Sequence, residues 1–288
     1  MSRIVVEKRV FGSLRWVVIV ALLLVTIFPF YYMVELSFVP IEQLLLHPDR
    51  LWVPLQDLTI TTYQNVLKSV DDGGQGFAHF MTNSAIVALS TAIITLFVSI
   101  PGAYALSRLK FFGQRQVSGL FFAVYLFPSI IIAIPLFVGF SAIGIRESLF
   151  GLVIVYIAQT VPVSILMLRT YIKTMPVSIE EAAMVDGASR FRILRSVIVP
   201  LAMPTIMSTG LYVFMIAWNE FLFALLFLTA NRDLWTVSLG LSQLSNGIEV
   251  SKTVLMAGSV LLTLPIIVLY GIAERSLTEG LTSGADKG

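Results

Sequence analysis

Six apolar runs, each about as long as a bilayer is thick, constrain this chain more than any other feature of its sequence. They extend over residues 16–38, 80–105, 117–140, 148–170, 201–228 and 253–273. About 20 apolar residues cross a hydrocarbon core of roughly 30 Å as a helix. No water is available there to satisfy backbone groups, so each crossing segment must hydrogen-bond internally. The composition agrees, with 57% hydrophobic residues, 12% charged residues and a mean hydropathy of +0.89. The expected fold class is therefore an all-α integral membrane protein of six transmembrane helices, forming one domain over residues 1–288. The first run follows Arg3, Lys8, Arg9 and Arg15 but is too long for a cleaved signal and lacks a small-residue cleavage site, so it is expected to stay as an anchor.

Orientation follows from the cations, because Lys and Arg near span ends stay cytoplasmic. With the N-terminus inside, the inner segments hold Arg3, Lys8, Arg9 and Arg15, then Arg108, Lys110 and Arg115, then Arg169, Lys173, Arg190, Arg192 and Arg195, then Arg275 and Lys287. Only Arg50, Lys68, Arg146, Arg232 and Lys252 fall in outer loops. Both termini are thus expected in the cytoplasm.

Several classes of function are disfavoured. The chain has no cysteine, and its two histidines, His47 and His79, lie outside the spans, so neither a thiol nucleophile nor a metal site is expected. The net charge of +2 gives no reason to expect nucleic acid as a partner. No G-x-x-x-x-G-K-[ST] loop is present, so any energy from ATP must be supplied by another chain. No His or Asp lies within a span, which disfavours an intramembrane enzyme. A self-sufficient secondary transporter usually shows internal repeats and buried coupling charges, and neither is evident.

Between the fourth and fifth runs lies VSIEEAAMVDGASRFRILRSVIVP, residues 177–200. Glu180, Glu181, Asp186, Arg190, Arg192 and Arg195 would each cost about 2.5–3.5 kcal/mol near a membrane-helix centre, so this stretch belongs in water or against a protein. Ser178 followed by Glu181 has the spacing of a capping box. Ile179, Ala182 and Ala183 share one helical face at that spacing. Gly187 suits the left-handed residue that ends a helix. A second helix is expected to restart near Ser189, with Phe191, Leu194 and Ile198 as its apolar stripe.

The run Glu181, Ala182, Ala183, then Gly187, then Val197 to Pro200, resembles the cytoplasmic EAA loop of permease subunits of ABC importers, with Val197 and Val199 where Ile and Leu are usual. AYALSRLKFFGQR from Ala103, LFPSIIIAIPLFVGFSAIGI from Leu126, AWNEFLFAL from Ala217 and GLTSGADKG from Gly280 are similar to the sugar-transporting branch, in particular to maltose-type second permeases and their trehalose-importing relatives. The resemblance implies a coupling helix in which Glu180, Glu181, Ala182, Ala183, Met184, Asp186 and Gly187 meet an ATPase subunit. It also implies a homologous partner permease, two ATPase subunits that hold ATP and Mg, and an extracytoplasmic sugar-binding protein. No cofactor is then expected in this chain, which would sit in a bacterial or archaeal inner membrane. The tail, residues 276–288, would reach the ATPase interface. The implied solute is a disaccharide of the trehalose or maltose kind, with other sugars or glycerol-phosphate as alternatives.

Each of the six runs carries proline: Pro29, Pro101, Pro128 with Pro135, Pro162, Pro204 and Pro265, which tend to kink membrane helices. The second displays Ser84, Ala88, Ala92, Thr95, Ser99 and Gly102 at helical spacings of three or four, a small-residue stripe that lets helices approach closely. Polar groups inside spans mark a solute path or a bridge between helices. Asn83, Tyr212, Trp218, Asn219 and Glu220 are the candidates, with Glu220 open to either role. Glu35 lies near the outer end of the first run. The outer loop over residues 40–78 contains DDGGQG, residues 71–76, a flexible turn signature.

Overall fold

A computed structural model of the chain describes residues 3–46, 52–246 and 252–285. Among them every regular element is helical: α1 (Arg3–Ser37), α2 (Ile41–Leu46), α3 (Thr61–Leu67), α4 (Phe77–Arg108), α5 (Gln114–Leu126), α6 (Ser129–Ala142), α7 (Leu149–Thr174), α8 (Val177–Val185), α9 (Arg190–Ile193), α10 (Val199–Leu201), α11 (Met203–Asn219), α12 (Leu222–Leu228), α13 (Val237–Asn246) and α14 (Lys252–Ala285). A π-turn, Leu194–Ile198, joins α9 to α10. The chain divides into two units, Met1–Gly76 with Leu244–Leu261, and Phe77–Gln243 with Leu262–Gly288. The tail from residue 286 and His47 lie outside the described residues.

In the first unit, the apolar stretch Leu14–Ser37 of α1 buries none of its most apolar window within this chain. Such a surface requires lipid or another protein. At the C-terminal end of α1 the chain is held firmly. The Glu35 carboxylate accepts a hydrogen bond from the Val53 N–H at 2.6 Å, so this residue does more than reach the interface. The Ser37 and Tyr63 hydroxyls share a hydrogen bond at 2.7 Å. The glycine-rich turn is closed rather than loose. Gly74 N–H donates to the Ser69 carbonyl at 2.8 Å, and Gly76 N–H to the Lys68 carbonyl at the same distance. A Cβ at Gly74 would collide with the Lys68 backbone, so only glycine fits.

The second unit is organised around α4, which packs chiefly on α7 and then on α11. Ser84, Ala88, Ala92, Thr95 and Ser99 are all buried, as a small-residue stripe predicts. The Thr95 and Thr160 hydroxyls meet at 2.9 Å across the α4–α7 seam. A Cβ at Gly102 would stand 3.2 Å from Ile165 Cδ1, which shows how close the two helices run. Near one end of this seam Tyr104, Leu106, Leu168, Ile172, Ile193 and Ile198 belong to one apolar cluster.

Two expected spans are interrupted. The run 117–140 is two helices, α5 and α6, separated by Phe127 and by an extended Pro128 at φ −61, ψ 128. Proline disfavours the helical region for the residue before it, and Phe127 is accordingly extended. The run 201–228 starts at a bend of 80° between Arg190–Leu201 and Met203–Asn219 and is broken again at Glu220 and Phe221. Pro204 sits in the first turn of α11, where its missing N–H costs nothing. Pro29, Pro101, Pro135, Pro162 and Pro265 lie inside continuous helices. Among the described residues four uninterrupted helices are long and apolar enough to cross a membrane, or five if the bent pair counts as one span.

Ala88→Leu places extra methylenes in the fully buried seam and is expected to destabilise the fold by about 1–3 kcal/mol. Phe97→Leu, on a residue 79% exposed, is expected to change stability by less than about 0.5 kcal/mol. Denaturant unfolding of the detergent-solubilised protein measures both.

Candidate functional site

The hydrophilic stretch after α7 folds as a helix, a tight stop and a second helix. Pro176, extended at φ −60 and ψ 130, precedes α8 and makes no side-chain cap. The expected capping box is therefore not formed: the helix begins at Val177, which places Ser178 inside the first turn instead of before it. At the other end Gly187 is left-handed with φ 78. Its N–H donates to the Met184 carbonyl at 3.0 Å, and the Ala188 N–H to the Ala183 carbonyl at 3.0 Å. That pair of bonds is a Schellman stop. Ser189 then caps α9, its hydroxyl accepting from the Arg192 N–H at 3.4 Å.

The faces of these helices differ from the expected ones. Glu181, Ala182, Met184, Asp186 and Gly187 are exposed, whereas Glu180 is buried. Ala183 packs on the apolar cluster while Ala182 faces out, so the expected common face of Ile179, Ala182 and Ala183 is divided. In the second helix Ile193 and Ile198 point inward and Phe191 is 72% exposed. The π-turn accounts for this, because it places residues five apart, not four, on one side.

Glu180 anchors α8. Its Oε1 accepts from Arg108 Nε at 2.5 Å and its Oε2 from the Tyr104 hydroxyl at 3.1 Å. Arg108 also donates to the Met175 carbonyl at 2.8 Å. One guanidinium thus joins the end of α4, the end of α7 and the start of α8. With both partners nearly buried, either charge left alone would be costly. The sequence alone groups Glu180 with the outward residues. The signal available against that grouping is Tyr104 and Arg108 four apart at the end of a span, two donors on one helix face without an acceptor of their own.

The intramembrane candidates separate into two groups. Asn83 donates to the carbonyls of Asp233 at 2.8 Å and Trp235 at 3.0 Å, and so fastens the loop before α13. The buried Trp218 donates from Nε1 to the Leu262 carbonyl at 2.9 Å and ties α11 to α14. Both are occupied structurally. Tyr212, Asn219 and Glu220, together with Met215 and Ile216, line an open depression of about 450 Å³.

Glu220 sits at the break between α11 and α12. Its carboxylate accepts from the N–H groups of Phe223 at 3.0 Å and Ala224 at 3.3 Å, capping α12. It also accepts from the Tyr156 hydroxyl of α7 at 2.5 Å. Its backbone carbonyl accepts from the Ser238 hydroxyl at 2.6 Å. Glu220 therefore bridges helices and borders the depression at once. Tyr156, fully buried, is absent from the sequence candidates because nothing local marks it.

Residues 97–281 match the family described as "Binding-protein-dependent transport system inner membrane component". The inner membrane ABC transporter permease protein YcjP of Escherichia coli (strain K12) is 36% identical over 267 residues, covering 92% of this chain and 93% of that protein. The trehalose/maltose transport system permease protein MalG of Thermococcus litoralis is 34% identical with the same coverage. The trehalose transport system permease protein SugB of Mycobacterium tuberculosis is 34% identical over 80% of this chain and 83% of its own length. The fold also matches a chain in the crystal structure of a bacterial ABC transporter involved in the import of the acidic polysaccharide alginate. That match has a TM-score of 0.81 at 24% identity, over 96% of this chain and 98% of the other.

Glu180→Ala strands the Arg108 cation and is expected to destabilise the protein by about 3–5 kcal/mol. Combining Glu180→Leu with Arg108→Met removes both charges and is expected to recover most of that loss. Unfolding midpoints of the single and double variants measure the difference.

Proposed function

This chain belongs to the binding-protein-dependent transport system inner membrane components, the permease subunits of ABC importers, and on that footing we propose that it passes a carbohydrate across the membrane, a disaccharide of the trehalose or maltose kind. Support for the solute class comes from the trehalose/maltose and trehalose permeases at 34% identity. A diacetylchitobiose permease of Streptomyces coelicolor and a sulfoquinovosyl glycerol permease of Agrobacterium fabrum, 30% and 31% identical, favour a sugar-containing solute as the second reading.

The observation that carries the mechanism is α8, whose outer face is free and whose inner face is locked. In our reading the chain crosses the membrane six times with both termini in the cytoplasm. It pairs with a homologous permease, and an extracytoplasmic binding protein delivers the solute. ATP and Mg are held by two separate ATPase subunits, and the coupling segment around Glu181, Ala182, Met184, Asp186 and Gly187 docks on one of them. Movement of that ATPase pulls on α8. The Schellman stop at Gly187 keeps the pull from unwinding the helix, and the Glu180–Arg108 pair passes it to α4 and α7 together. Because α4, α7 and α11 share one close-packed seam, they shift as a body. Tyr212 and Asn219 supply hydrogen-bonding groups of the kind that recognise sugar hydroxyls, beside the depression at Glu220.

Two measurements test this. In vesicles containing the assembled transporter and its binding protein, labelled trehalose or maltose is expected to accumulate only with ATP inside. Failure of every carbohydrate tried, with amino acids or ions accepted instead, refutes the solute class. Glu181→Lys reverses an exposed charge on α8 and is expected to weaken ATPase association about tenfold, or ~1.4 kcal/mol. Co-purification of the ATPase reports it, and unchanged recovery refutes docking at α8.

A further inference from the structure

The cytoplasmic side, as oriented above, carries a second projection besides α8, the turn from Leu109 to Arg115, formed by the link after α4 and the first two residues of α5. It is held in one shape. Gln114 donates from Nε2 to the Leu106 carbonyl at 2.9 Å, and Gly113 is left-handed at φ 86. That shape presents an aromatic tip. Phe112 is 101% exposed and Phe111 42% exposed. On either side stand Lys110 and Arg115, both exposed, and neither is in an ion pair among the described residues.

A fixed turn that holds two phenylalanines out in solvent needs a cover. The two projections have opposite chemistry. On α8 itself the exposed apolar groups Met184 and Val185 are accompanied by Glu181 and Asp186, the nearest exposed cations following only in the next helix at Arg190 and Arg192. On the turn, apolar rings are accompanied by cations, the combination that an anionic leaflet attracts. The turn also starts one residue after α4 ends. A helix of 32 residues is about 48 Å long, roughly the thickness of a bilayer with its headgroups. If α4 starts at the opposite surface, as the proposed orientation has it, the tip stands at headgroup level.

We propose that the turn Leu109–Arg115 is a lipid anchor, with Phe111 and Phe112 inserted between headgroups of the inner leaflet and Lys110 and Arg115 paired with anionic lipid phosphates. Two cations near an anionic surface strengthen such contact roughly thirtyfold. The anchor holds the end of α4, and with it Arg108, at a constant depth while α8 is pulled. The proposal rests on the orientation given under Proposed function.

The chain has no cysteine, so Phe112→Cys carries a single spin label, with the partner subunits made cysteine-free. The assembled transporter is placed in nanodiscs of phosphatidylcholine, with or without one quarter phosphatidylglycerol, and label collisions with oxygen and with a nickel chelate are compared. With phosphatidylglycerol the label is expected to be shielded from nickel and open to oxygen. In phosphatidylcholine alone, or after Lys110→Gln with Arg115→Gln, nickel access is expected to rise severalfold. Full nickel access in every lipid overturns the anchor, and equal shielding in both lipids overturns its anionic preference. Shielding that vanishes when the ATPase subunits are stripped off assigns the turn to protein docking and also overturns it. In intact cells, reaction of the unlabelled Phe112→Cys variant with an impermeant maleimide from outside refutes the orientation itself, an outcome distinct from nickel access on the inner side.

Discussion

The buried contact between Arg108 and Glu180 is the constraint on which the rest of this structure depends. A carboxylate and a guanidinium at 2.5 Å, both almost out of water, are stable only as a pair. That requirement fixes the first turn of α8 against the ends of two long helices. A nine-residue helix has little stability of its own, so α8 must take its rigidity from its neighbours. Here it comes from three acceptors served by Arg108 and Tyr104.

From that corner the organisation of the second unit follows. Arg108 ends α4, and α4 carries hydroxyls and small side chains along the face that meets α7 and α11. Side chains this small let backbones approach until dispersion and interhelical hydrogen bonds, such as Thr95 with Thr160, do what hydrophobic burial does in soluble proteins. Farther along the same seam, Tyr156 of α7 meets Glu220 at the break of the fifth apolar run. One helix pair therefore connects α8 with the discontinuity beside the depression, through packing and not through a chain of charges.

Much of the architecture was legible because hydropathy is a property of whole segments. The expected runs 80–105, 148–170 and 253–273 fall within α4, nearly within α7, and within α14. The break at Pro128 has a local mark in its proline, but the one at Glu220 was not legible. AWNEFLFAL is apolar throughout except for Asn219 and Glu220, so composition continues where the helix stops. The stop is made by a carboxylate that caps the next helix and binds a tyrosine 64 residues away, a tertiary effect that no local window contains. The capping box at Ser178 failed for the opposite reason, since a neighbouring local signal decides it: the extended Pro176 takes the N-cap position and leaves Ser178 inside the first turn. Adjacent glutamates 180 and 181 look alike in sequence. Only the position of Arg108 decides which one turns inward. Asn83 and Trp218 are buried, and their partners are backbone carbonyls supplied by distant loops and helices, which no local pattern announces.

The π-turn at Leu194–Ile198 has a consequence for how this region tolerates change. Each residue of an α-helix advances the azimuth by about 100°, so Ile193 and Ile198 would stand about 140° apart on an ordinary helix, yet both are buried. The surplus residue works as a gear tooth that retards the winding of everything after it. Side-chain exchanges here alter contacts one at a time. Loss or gain of a single residue rotates the whole following segment, and Ala202 and Ile206 with it, away from the core they now share.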